Sequence, residues 1–188
     1  MVINIQANGV DFLRYIFLIA FIATIPAANW LIGNFGTECI PDGPCLVPVG
    51  FGLMAPSGVL LVGAGLVFRD AVQQFFGLRI AIAAILTGVV LSAILAPPSL
   101  VIASALAFGL AEGLDLAVYT PLRKRHLPLA VLASGAVGAV VDSAVFLFVA
   151  FGNFDYIGGQ IAGKLWFALA AFGFLSVTRS MRVLEGKD

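Results

Sequence analysis

Six apolar runs, each roughly the 20 residues that a helix needs to cross a bilayer, follow one another along this chain with only short connections between them. They fall at 12–32, 46–68, 78–96, 100–119, 127–151 and 156–177. Of the 188 residues, 61% are hydrophobic and 11% charged, and mean hydropathy is +1.09, which takes the chain out of the range of water-soluble domains. The spans leave almost nothing for a soluble domain, so the expectation is an all-α, polytopic membrane protein with six transmembrane helices in a single transport domain covering residues 1–188. Formal net charge is zero and the basic residues are scattered or at helix ends, which excludes nucleic acid as a partner. The second run is the least regular, because Pro48, Pro56 and the glycines from Gly50 to Gly65 argue for a broken or kinked element.

Lysine and arginine set the orientation. With the N-terminus inside, the inner connections and tail hold Arg14, Arg69, Arg79, Arg123, Lys124, Arg125, Arg179, Arg182 and Lys187, and the outer loops hold none. That asymmetry places both termini in the cytoplasm. The first run reads as a mature helix rather than a signal peptide, since it is long, has no basic residue in its leader from Met1 to Val10, and carries Asn29 and Trp30 near its end. Cys39 and Cys45 then share the first outer loop, 33–47, with Pro41, Asp42, Gly43 and Pro44 between them. An oxidising exterior permits a disulfide there; two unpaired thiols are the alternative, and a metal site is not expected without a nearby histidine.

Four carboxylates interrupt or border the apolar runs: Asp70, Glu112, Asp115 and Asp142. An ionised acid at mid-membrane costs about 2.5–3.5 kcal/mol on insertion scales, so such residues usually face a polar interior and mark a pathway or binding site. Glu112, Asp115 and Tyr119 are spaced three and four apart and share one helix face. Gly135, Gly138 and Asp142, with Ser134 and Ser143 beside them, form a second stripe on which another helix or a flat ligand can approach closely. Asp70, Gln73, Gln74 and Gly77 form a third face, where Arg69 and Asp70 also read simply as a boundary pair. Lys164, four residues after Gln160, requires an acidic partner, and Asp142, Glu112 and Asp115 are all candidates. Against these four acids the membrane-embedded cations are Arg69 and Lys164, so protons or a donor-rich ligand would balance the surplus. Phe108, Phe146, Tyr119 and Trp166 could stack on a planar ring, although most of the 16 phenylalanines serve core or lipid contact.

Three segments together resemble the VUT family, the small six-helix queuosine-precursor transporters of bacteria. They are Phe108, Glu112, Asp115 and Val118-Tyr119 in the fourth run; Ser134, Gly138, Val141-Asp142-Ser143 and Phe146 in the fifth; and Asp70 with Phe76-Gly77 after the second. With Asn29 and Lys164 the likeness extends from about residue 28 to 164. Departures are Gln74, where the family commonly has glutamate, Gly135 in place of an asparagine, and no proline after the lysine. The resemblance implies import of 7-cyano-7-deazaguanine or 7-aminomethyl-7-deazaguanine across the bacterial inner membrane for salvage into tRNA queuosine. It also implies substrate contacts at Glu112, Asp115 and Asp142, with Tyr119, Ser143, Asn29 and Phe108 in the site. Asp70 and Gln74 would stand near the cytoplasmic mouth, and Lys164 would balance an acid or meet a carbonyl-type acceptor. No cofactor is implied.

Two other classes compete. One is the substrate-capturing subunit of an ATP-driven vitamin-type importer, for which Ala23 and Ala27 could form a docking seam. The other is a non-transporting sensor or assembly protein. Whether the chain forms a homo-oligomer is open. An enzyme is not expected, because the single histidine, His126, lies in a basic loop and no nucleophile–base pair occurs in the spans.

Overall fold

A computed structural model describes residues 2–184 apart from Asp42 and Pro97, with side chains described between 12 and 180 except at those two positions and Ser99. Met1, Asp42, Lys187 and the side chain of Arg182 lie outside the described residues.

Helix α1 (Val2–Asn34) leads into a small antiparallel sheet of β1 (Glu38–Cys39), β2 (Cys45–Gly50) and β3 (Leu53–Pro56). Five helices follow: α2 (Val59–Phe76), α3 (Leu78–Leu95), α4 (Val101–Leu122), α5 (Leu127–Phe151) and α6 (Ile157–Leu184), with a single 3-10 turn at Pro98–Leu100. All six are long and apolar enough to cross a membrane. Their outward sides carry large apolar residues at high exposure, such as Ile94 at 70% and Phe174 at 69%. Water would reject such a surface and lipid accepts it.

The helix ends follow local rules. Gly77 takes φ 83° and turns α2 directly into α3, and Gly152 takes φ 68° and closes α5 with its N–H on the Phe148 carbonyl. Pro128 sits in the first turn of α5, where its missing N–H costs no helical bond.

The expected span 46–68 is corrected. Its first half is not helix but the β2–β3 hairpin, and α2 starts only at Val59 and continues to Phe76. Pro48 and Pro56 cannot donate to a helical ladder, and Gly50, Phe51 and Gly52 all take positive φ in the tight turn between Gly50 and Leu53. The hairpin folds onto α6, where Trp166 donates its indole N–H to the Val49 carbonyl at 2.8 Å and stacks on Phe51. Gly159 of α6 has no side chain because the Met54 backbone occupies that space. Cys39 and Cys45, paired across β1 and β2, are joined as a disulfide. The sheet thus caps one end of the bundle, and the basic connections lie at the other.

Candidate functional site

Two buried cations organise the interior. Arg69, in the middle of α2, is fully buried and has carboxylates on three of its nitrogens. Nη1 lies 2.9 Å from Asp70 Oδ1, Nε donates to Glu112 Oε2 at 3.1 Å, and Nη2 pairs with Asp115 Oδ1. The guanidinium also lies 5.4 Å from the centre of the Tyr119 ring, and Nη1 reaches Gln73 Oε1 at 3.3 Å. A planar five-donor fork suits this better than an ammonium would. Around it, the Tyr119 hydroxyl donates to the Asp70 carbonyl at 3.2 Å and the Ser134 hydroxyl to Asp70 Oδ2 at 3.3 Å.

Lys164 is the second. Its Nζ lies 2.7 Å from Asp142 Oδ2, donates to the Ser143 hydroxyl at 2.8 Å and to Gln160 Oε1, so all three ammonium protons have acceptors. The close pass of α6 over α2 that brings Lys164 inward depends on Gly63, where a Cβ would lie 2.8 Å from the Lys164 Cα.

Between the hairpin and these cations lies a cavity of about 80 Å³, lined from all six helices. Thr24, Ala28 and Asn29 come from α1, Val59 and Val62 from α2, Ser92 from α3, Phe108 and Glu112 from α4, Asp142 and Phe146 from α5, and Gln160 from α6, with Pro56 closing the hairpin side. Helix direction puts every one of these in the half of the bundle nearer the hairpin. The floor is acidic. Glu112 Oε2 and Asp142 Oδ2 are held by the cations, and among the described residues their other carboxylate oxygens have no hydrogen-bond partner. Each acid therefore keeps one oxygen uncommitted.

The expected site residues divide into three groups. Glu112, Asp142, Asn29 and Phe108 line the cavity. Asp70, Asp115, Tyr119, Ser143 and Lys164 are buried behind it and act on the lining acids through Arg69 or directly. Gln74 is neither: it is exposed on α2 and meets only Arg123 Nη1 at 3.4 Å, while its neighbour Gln73 is the one that points inward. Trp166 stacks on the hairpin's Phe51 and is not in the cavity lining. The reading that Arg69 and Asp70 form a boundary pair is corrected, since both are buried inside the bundle. Of the three partners open to Lys164, the structure pairs it with Asp142.

Arg69 as hub and Ser134 as an Asp70 ligand were not expected, and Gln73, placed on the Asp70 face, was given no role. The misplaced second span hid them: a helix ending at residue 68 puts Arg69 at the membrane edge, whereas one starting at Val59 puts it eleven residues in. The glycines and prolines before Val59 were the available signal.

A bilayer-length six-helix bundle around an acid-floored cavity is the build of a multi-pass membrane protein. Residues 92–178 match the family described as "Putative vitamin uptake transporter", the VUT family that the ordered motifs resemble. The match takes in the end of α3, all of α4 and α5 and most of α6, a little under half of the chain. No curated protein and no solved structure matches it.

Proposed function

We propose that the chain imports a deazapurine precursor of queuosine, 7-cyano-7-deazaguanine or its 7-aminomethyl counterpart, from the hairpin side of a bacterial inner membrane to a cytoplasmic side that carries the basic loops. The observation that carries this reading is the pair Glu112 and Asp142 on one cavity floor, each with an uncommitted carboxylate oxygen, in a lining that also holds Phe108 and Phe146. A guanine-type edge presents a ring N–H beside an exocyclic amine, two donors matched to a carboxylate, and its flat face suits an aromatic wall. The amides of Asn29 and Gln160 add donors and acceptors for the carbonyl side. Three carboxylates around Arg69 and one beside Lys164 leave the interior with two more acids than cations, which favours a donor-rich or cationic guest over an anion.

Ligand pockets commonly run from about 300 to 1,000 Å³, so a cavity of about 80 Å³ belongs to a closed form that must widen to admit a bicyclic ring. The hairpin, which packs on α6 and through β2 on α1 and supplies Pro56 to the lining, is the element that would have to shift.

Expression in a bacterium that can neither make nor import the precursors, with queuosine measured in its tRNA, tests the proposal. Supplied precursor should restore the modification, and failure at high supply with the protein present in the membrane would refute it. Uptake by the purified chain alone in vesicles separates a self-sufficient carrier from the capture subunit of an ATP-driven importer.

A further inference from the structure

The basic end of the bundle holds a second concave site that the cavity does not use. A groove of about 530 Å³ runs between the start of α5 and the last turns of α6, walled by His126, Pro128 and Leu129 on one side and Phe172, Ser176 and Arg179 on the other. Its polar end is cationic. Arg179 Nη1 stands 3.3 Å from His126 Nδ1, and Lys124 and Arg125 are exposed in the turn just before. Arg123 is committed elsewhere, donating to the Gln73 carbonyl at 2.9 Å. Among the described residues, Lys124, Arg125 and Arg179 have no carboxylate partner. The sequence offers no Asp or Glu at all in 116–141 or 165–184. The other end of the groove is apolar, with Leu129 exposed at 48% and Phe172 half-buried.

Scattered boundary lysines and arginines would give only a diffuse attraction to an acidic leaflet. Here two helix ends converge on a shaped recess whose cationic rim meets an apolar wall at the edge of the spanning region. That is the complement of an amphiphile with a phosphate head, and arginine's planar fork binds phosphate through paired N–H donors. We propose that this groove binds one anionic phospholipid of the surrounding bilayer, its phosphate at Arg179 and His126 and the start of its acyl chains against Leu129 and Phe172. The lipid would tie the end of α6 to α5 at the side opposite the hairpin. The assignment does not depend on the identity of the transported ligand.

Native mass spectrometry of the full chain, titrated with phosphatidylglycerol or phosphatidylcholine, reads the site directly. One phosphatidylglycerol should be retained per chain at least tenfold more tightly than phosphatidylcholine. A basic residue near the bilayer surface contributes about 1 kcal/mol, so Arg179→Gln should weaken phosphatidylglycerol about fivefold, while Arg79→Gln, exposed at the start of α3, should not. Equal retention of the two lipids would overturn the proposal, as would an equal loss in Arg79→Gln, which marks diffuse attraction only. Displacement of phosphatidylglycerol by equimolar inorganic phosphate would also overturn it, because the groove would then read a free ion. The comparison of the two lipids uses the unmodified protein, so it decides the matter even where a variant does not fold.

Discussion

Glu112 joins Arg69 to the cavity. Its Oε2 accepts the Arg69 Nε–H at 3.1 Å while the same carboxylate floors the cavity above. A ligand that takes up the second oxygen polarises a group already shared with the Arg69 cluster, and any shift of Glu112 toward the ligand loosens its hold on Arg69. Occupancy of the cavity and the ion pairing of α2 with α4 are thereby linked through one side chain, without a longer relay.

Neutral isosteres should separate charge from shape at the floor. Glu112→Gln and Asp142→Asn each keep an oxygen for the neighbouring cation but lose the charge facing the ligand. A hydrogen bond to a charged group is worth about 1.5–3 kcal/mol, so each should weaken ligand binding on the order of 10- to 100-fold and abolish tRNA rescue, with membrane levels intact. Full uptake by the double variant would remove these acids from the site.

Arg69 carries a stability prediction. Arg69→Met leaves Asp70, Glu112 and Asp115 crowded together and buried without their cation. Removing one partner of a buried ion pair costs about 3–5 kcal/mol, and here three acids lose the same partner, so the folded yield in detergent should collapse. Adding Asp115→Asn to Arg69→Met should recover part of that yield. A stable Arg69→Met single variant would show that the cluster does not hold α2 to α4.

How much of this was legible beforehand depends on period and on context. The five uninterrupted runs became helices, three of them within three residues of their expected limits and the first and last extended to Val2 and Leu184, and the i, i+3, i+7 spacing of Glu112, Asp115 and Tyr119 did put them on one buried face. That face, however, opens to two different places. Glu112 reaches the cavity, while Asp115 and Tyr119, a turn or two further along, reach Arg69 and the Asp70 carbonyl. A helical stripe specifies a side and not a depth. The hairpin was hidden because a run rich in valine and glycine with two prolines has the hydropathy of a span, and hydropathy alone carries no memory of the N–H donors that proline lacks. Gln73 and Gln74 are adjacent, so assigning one of them to the inner face required knowing where α2 begins.

Lys164 and Asp142 should behave as a unit. Lys164→Met strands Asp142 beside an apolar chain and should cost about 3–5 kcal/mol in thermal or denaturant unfolding, whereas Lys164→Met with Asp142→Asn should cost clearly less. The double variant should still fail to transport, since the floor then lacks one acid. Additive losses in the double variant would mean that the 2.7 Å pair contributes nothing to folding.

The Cys39–Cys45 bond closes a short loop between β1 and β2 of the cap. Chain-entropy arguments for so short a loop give about 2 kcal/mol, and the sheet rather than the bundle should feel the loss. Cys39→Ser with Cys45→Ser should therefore leave the helical melting transition nearly unchanged while proteolysis within 35–58 accelerates. Unchanged proteolysis, or alkylation of both thiols in the unreduced protein, would show that the bond does not secure the cap.

Gly88 offers a way to alter the cavity from outside it. A Cβ at this position on α3 would lie 2.6 Å from Cε1 and Cζ of Phe108 and 2.8 Å from Ile25 Cδ1, two side chains that line the cavity. Such an approach is too close for real atoms, and the ring tip is the part that can yield. Gly88→Ala should push the Phe108 ring toward the cavity, at a packing cost of about 1–3 kcal/mol. The variant should bind the precursor more weakly and show a raised half-saturation for uptake, with its maximal rate less affected. Phe108→Leu in the same background should relieve the clash and recover folding stability without restoring affinity, because the aromatic wall is gone. A Gly88→Ala protein with unaltered half-saturation would place the transported ligand somewhere other than beside Phe108.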